Sequence, residues 1–256
     1  MTALHLKIIA LASMLMDHTA VVFAQQVPPW FRVVGRLAFP IFAYLVAEGF
    51  RHTRNPNKYL IRLAVFALLS QPFFGWALLG AATPWQVSFI RGTNIFYTLL
   101  LGGLAIGSFQ RIKAYCTAQG DNELLVSAIA CVPLLFYMWL GEWLGADFGA
   151  VGVAFVFTMY VLKHKKARLA AMAGLCLLLH RQLLRYLHFV YINPGQGTGM
   201  FYQPVPMVMY WMIPVTLLTV VLAAYYNGRR GPSMKWLFYA AYPGHLAILG
   251  GLHLLI

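Results

Sequence analysis

Residues 4–24 read LHLKIIALASMLMDHTAVVFA, and the reading of this stretch decides the fold class. At about 1.5 Å of rise per residue such a helix is some 32 Å long, enough for the roughly 30 Å hydrocarbon core of a bilayer. A short basic start leading into an apolar run also fits a secretory signal. Asp17 and His18 argue against that, because a signal's apolar region does not ordinarily hold two ionisable residues, whereas a retained helix facing a polar cavity can.

Outward from this segment the pattern repeats. Apolar runs at 30–50, 60–81, 93–110, 124–141, 147–163, 168–190, 205–226 and 236–255 bring the expected spans to nine. The spans leave no room for a soluble domain, so residues 1–256 are expected to form a single all-α domain, a polytopic membrane bundle. Composition agrees: 61% of residues are hydrophobic, 10% are charged, and mean hydropathy is +0.70. A soluble domain carries about 25% charge. The net charge of +13 therefore reads as basic loops in a lipid bilayer rather than a nucleic-acid surface. Cys116, Cys131 and Cys176 have no CxxC spacing and imply neither a disulfide framework nor a metal site.

Alternating the nine spans across the bilayer sorts the cations. One face receives Lys7, Arg51, Arg54, Lys58, Arg62, Arg111, Lys113, Lys163, Lys165, Lys166, Arg168, Arg229, Arg230 and Lys235, which is 14 of 19. The other receives Arg32, Arg36, Arg91, Arg181 and Arg185. The positive-inside rule then puts the N-terminus in the cytoplasm.

A charge at the bilayer centre costs roughly 2.5 to 3.5 kcal/mol even on lenient scales, so each needs a partner, a wet cavity or a role. The set comprises Asp17 and His18, Arg36 and Glu48, the stripe Arg181, Arg185 and His188, and His245, with Asn94 and Asp147 opening two spans. Counting the helical rise places His18 about 16 Å above Lys7 and on nearly the same face. His245, ten residues past Lys235, reaches about 15 Å, and Arg36 reaches His18's depth from the opposite side. Asp17 and Arg36 either neutralise each other or take part in chemistry, and the Arg181 stripe either binds an anion or snorkels. Glu48 is expected to serve Arg51 or Arg54. The sequence contains no GxSxG elbow, phosphate-binding loop or HExxH motif.

Several blocks, in order along the whole chain, resemble the TraX family of pilin acetylases from conjugative plasmids. They are Lys7 to Ala10 with Met16 to His18; Gly35 to Phe42; Gly49 to Arg54; Ser70 to Phe73; Asn94 to Phe96; Asp147 to Ala150 with Gly152; and Phe238, Tyr239 and Tyr242 to Leu246. The Lys7 and His18 spacing is also similar to a basic-residue and histidine pair in the first helix of membrane acyltransferases that modify cell-envelope glycans. The TraX resemblance implies N-terminal acetylation of a processed pilin subunit at the bacterial inner membrane, with acetyl-CoA as donor and no metal.

In that picture His18 is the general base, Arg36 and Asp17 belong to the catalytic group, and His245 orients the carbonyl or shares the proton task. Lys7, Arg51, Arg54 and Lys235 are the expected dock for the coenzyme phosphates. Asn94, Asp147, Arg181, Arg185 and His188 are the expected acceptor contacts. Two other classes compete: a transporter or proton-coupled channel would use the same intramembrane charges, and an assembly factor would hold pilin without chemistry. Inverted repeats would mark a transporter, and the chain shows no matching halves. An assembly factor has no need of polar groups buried in one layer.

Overall fold

The computed structural model describes residues 1–119, 122–180, 207–232 and 234–254. Among the described residues it is built of helices with no strand: α1 (Ala3–Val22), α2 (Trp30–Gly35), α3 (Ala38–His52), α4 (Pro56–Leu78), α5 (Ile95–Ala118), α6 (Glu123–Trp143), α7 (Gly149–Val161), α8 (Lys165–Leu179), a short 3₁₀ turn at Met207–Trp211 running into α9 (Met212–Ala224), and α10 (Lys235–His253). Among the described residues, five stretches are long and apolar enough to cross a membrane: Ala3–Val22, Trp30–His52, Pro56–Leu78, Ile95–Ala118 and Glu123–Trp143. Gly149–Val161 and Met212–Ala224 are apolar but shorter.

The span expected at 30–50 is one apolar stretch made of two helices. Pro40 explains the break, because its ring collides with the carbonyl four residues back, that of Arg36, and offers no N–H to it. Arg36 and Leu37 keep helical backbone angles, so the chain bends there rather than reversing. α3 is the centre of the bundle, and 78% of the apolar window in Trp30–His52, the stretch it forms with α2, is buried. It packs on α1, α5, α7 and α9, while α10 and α4 close the wall between α1 and α5. α6 lies outside, against α5 and α7, with 17% of its span buried and its apolar face turned outward.

The expected charge asymmetry has a physical counterpart at one end of the bundle. Met1 N donates to the Tyr225 carbonyl (2.8 Å) and Ala3 N to the Arg229 carbonyl (2.9 Å). At this end Lys165 Nζ reaches the Ala224 carbonyl (2.6 Å) and Arg111 reaches Asn57 (3.1 Å). A cross-helix knot ties the same end together. Glu48 Oε1 accepts from Arg51 and from Arg168 at 2.5 Å each, and Arg51 Nη2 also donates to the carbonyls of Met159, Tyr160 and Leu162 at the last turn of α7. Those carbonyls have no partner within their own helix, and a cation there also suits the helix dipole. Phe23 and His253 meet at the other end with ring centroids 6.4 Å apart. α1 and α10 therefore run in the same direction.

The connections before α5 and α7 sit deep. Asn94 caps α5, accepting from Phe96 N (3.0 Å) and donating to the Ala67 carbonyl and Gln71 Oε1 (both 2.8 Å), halfway along α4. Gln71 in turn holds the preceding loop through the carbonyls of Ser88 (2.9 Å) and Gly92 (3.0 Å). Irregular backbone at such depth is tolerated where protein or a wet cavity covers it.

Candidate functional site

A cavity of about 920 Å³ runs inside the bundle. Its basic end is lined by Lys7, Arg54, Lys58, Arg62 and Arg230, and its far end by Asp17, His18, Arg36, Asp147, His180 and Thr216. Lys7 and His18 share this wall because their 11-residue spacing returns α1 to nearly the same face. The Lys7 ammonium lies over the Phe238 ring at 5.5 Å and the Arg62 guanidinium over Tyr59 at 5.4 Å, so apolar rings carry the charged rim.

At the inner end His18 and His245 are in direct contact. His18 Nδ1 and His245 Nε2 are 2.6 Å apart, and the rings are near-coplanar at 13°. His245 Nδ1 lies 2.8 Å from the Ala241 carbonyl, which can only accept, so it is the protonated nitrogen of that ring. Its Nε2 then carries a lone pair and accepts from the Nδ1–H of His18. By this assignment His18 Nε2 is left unprotonated and is the ring nitrogen available to the cavity. Both histidines are 92% buried, and Tyr242 packs edge-on against both, at 6.0 Å from His18 and 5.5 Å from His245. His18 lines the cavity and His245 stands behind it.

Asp17 accepts on Oδ1 from Arg36 Nη2 (2.5 Å) and Arg32 Nη1 (2.8 Å). Arg36 Nε also donates to the Arg32 carbonyl (3.3 Å). Hydrogen bonds among the described residues thus engage two nitrogens of Arg36, and its Nη1 is left for the cavity. Gly35 permits this approach, because a Cβ there would overlap the Asp17 side chain. The sequence assigns Arg32 a side of the membrane and no partner. Its i, i+4 spacing to Arg36 was the signal that the two share a face.

The remaining sequence candidates divide. Lys7, Arg54 and Asp147 line the cavity. Arg51 does not, since its guanidinium is used by Glu48 and the end of α7, and Glu48 takes Arg168 as its second partner rather than Arg54. Asn94 is fully buried in its capping role and does not reach the cavity. Arg181, Arg185 and His188 lie outside the described residues, as does the side chain of Lys235 at the head of α10. His180, Thr216 and Tyr242 are cavity residues that sequence reasoning did not select. His180 Nε2 and Thr216 Oγ1 are 2.7 Å apart. No group of histidines, cysteines and carboxylates among the described residues has the arrangement of a metal site.

The family model described as TraX protein matches residues 3–253. A curated relative from Dichelobacter nodosus, "Probable fimbrial assembly protein FimC, serogroup H1", is 28% identical, with the alignment covering 97% of this chain and 94% of that protein. No solved structure matches. Since the family model takes in both ends of the cavity, from Lys7 to His245, the chain belongs to the TraX family.

Proposed function

We propose that the protein is a membrane-embedded acetyltransferase of the bacterial inner membrane, moving an acetyl group from cytosolic acetyl-CoA to the N-terminal amine of a processed pilin subunit or a similar envelope acceptor. One observation carries this reading: a single cavity joins a rim of cations to a buried histidine with a free lone pair. The relative's printed connection with fimbrial assembly supports a pilus-related acceptor.

The residues divide the work by position. Lys7, Arg54 and Lys58 at the cytosolic mouth meet the coenzyme's phosphates, and the apolar wall behind them suits its extended arm. Bound there, acetyl-CoA supplies an activated thioester near His18. His18 Nε2 takes a proton from the attacking amine, and the resulting positive charge is shared through Nδ1–H with His245 and the Ala241 carbonyl. Arg36, anchored on Asp17, aims a cation at the oxygen that becomes negative in the transition state. Mass spectrometry of pilins and envelope glycans from cells with and without the gene tests the reading. An acetyl group present only with the wild-type protein, and lost with His18→Ala, is expected. An unchanged mass profile overturns the assignment.

A further inference from the structure

The connection between α6 and α7 presents Asp147, and it is held from several directions. Thr93 N donates to the Gly145 carbonyl (3.2 Å), and Asp147 N donates back to the Thr93 carbonyl (3.0 Å). Gly145 and Gly149 bracket the segment at φ +57° and +50°, in the left-handed region that favours glycine. Glu142 accepts from Ala150 N (2.9 Å) at the start of α7, and the Phe148 ring stacks on Phe39 with centroids 3.8 Å apart. This scaffolding holds the backbone that carries the Asp147 carboxylate. Asp147 is an exposed residue and lines the same cavity as His18.

Among the described residues no side chain bonds to this carboxylate. Arg32 and Arg36 are near enough to act on it through space, yet both donate to Asp17 instead. An uncommitted carboxylate in the same cavity as a histidine with a free lone pair is complementary to a cation that also carries the reacting atom. A neutral hydroxyl gains little from such a group, whereas an ammonium brought into a dry site needs an opposite charge.

We infer that Asp147 is the anionic seat for the acceptor's ammonium group and selects amines over hydroxyls at this site. The inference rests on the acetyl-transfer reading above. The ammonium must lose one proton before it has a lone pair, and the Asp147 carboxylate receives it. The amine nitrogen then forms a bond to the thioester carbon, the carbon–sulfur bond breaks, and the electron pair leaves on sulfur. His18 Nε2 accepts the second nitrogen-bound proton and returns it to the thiolate. The proton on Asp147 goes to solvent through the cavity, so ammonium and acetyl thioester become amide, thiol and one released proton.

The test uses the full chain in lipid nanodiscs and three apolar decapeptides: one with a free N-terminus, its N-acetylated form, and an analogue with a hydroxyl in place of the amine. Wild type is expected to bind the free-amine peptide at least tenfold more tightly than the other two at pH 7. Asp147→Asn should bind all three within about twofold of one another. A measurement on wild type alone provides the second arm: the preference should vanish by pH 10, since an α-amino group titrates near 8. Persistence of the preference in Asp147→Asn, or at pH 10, overturns the seat. Labelled acetyl-CoA added to the same samples separates the two claims. Transfer without any amine preference overturns the seat alone, and preference without any transfer overturns the enzymatic reading alone.

Discussion

Two histidines separated by 227 positions in sequence act as one unit because His245 sets the tautomer of His18. The Ala241 carbonyl fixes His245, His245 fixes His18, and the lone pair is left on His18 Nε2, on a ring that lines the cavity. The two residues should therefore fail differently. On the proposed acetyl transfer, His18→Ala removes the base and is expected to lower kcat by at least a hundredfold, the lower end of what general-base catalysis contributes. His245→Ala leaves the base but frees its ring to turn, and a kcat loss of roughly tenfold with an unchanged KM for acetyl-CoA is expected. Equal losses in the two variants would make His245 a proton carrier in its own right. Much of this is legible in sequence, since helical rise alone puts Lys7 and His18 on one wall and His18, Arg36 and His245 at one depth. That the rings touch was not, because depth along an axis says nothing about the rotation of a distant helix. Arg32 was missed for a related reason: alternating charges across a membrane assigns each cation a side but no partner.

At the scale of elements, hydropathy located the apolar runs and could not see where they bend or stop. The stretch expected to span 147–163 contains a 13-residue helix, about 20 Å long at 1.5 Å per residue, against a hydrocarbon core of about 30 Å. Gly145 before the helix and Gly149 at its first position leave the helical region, and an averaged hydropathy window does not register two glycines. The bend at Arg36 has the same character, being dictated by Pro40 from four residues ahead. The contact of α1 with α2 depends on one missing side chain. Gly35→Ala puts a Cβ into the Asp17 side chain, whose own Cβ cannot swing away as a flexible tip would. The helices must part or Asp17 must leave its arginines. Overpacking of this kind costs about 1–3 kcal/mol, so a lower thermal midpoint in detergent is expected, together with a loss of activity. Ala38 lies in the same packed region but already carries a Cβ, and Ala38→Gly should leave the ion cluster in place. A Gly35→Ala protein of wild-type stability and rate would show that the close approach is dispensable.

Over the whole molecule, the basic end has two different jobs that the sequence lumped together. Fourteen cations belong to one face by the positive-inside reading, yet only some of them border the cavity. Arg51 and Arg54 are three residues apart and were assigned the same role, but the first is spent on Glu48 and the carbonyls ending α7, while the second lines the mouth with Lys7 and Lys58. Docking of a phosphate-bearing donor should follow that division. Lys7→Ala and Arg54→Ala are expected to raise KM for acetyl-CoA several-fold with kcat nearly unchanged, because they remove binding that is equal in ground and transition states. Arg51→Ala should leave KM in place and lower stability instead, since Glu48 and three carbonyls lose a donor inside the protein. Salt separates the two roles further. At about 1 M the Debye length falls to about 3 Å, so KM of the wild type should climb with ionic strength. In the Lys7 and Arg54 variants the climb should be shallower, because part of the screened attraction is already gone. Measuring KM and kcat for all four proteins between 50 mM and 500 mM salt decides it. A salt response identical in wild type and the Arg54→Ala variant would move donor binding away from this mouth, and a raised KM in Arg51→Ala would restore that arginine to the dock that sequence alone assigned it.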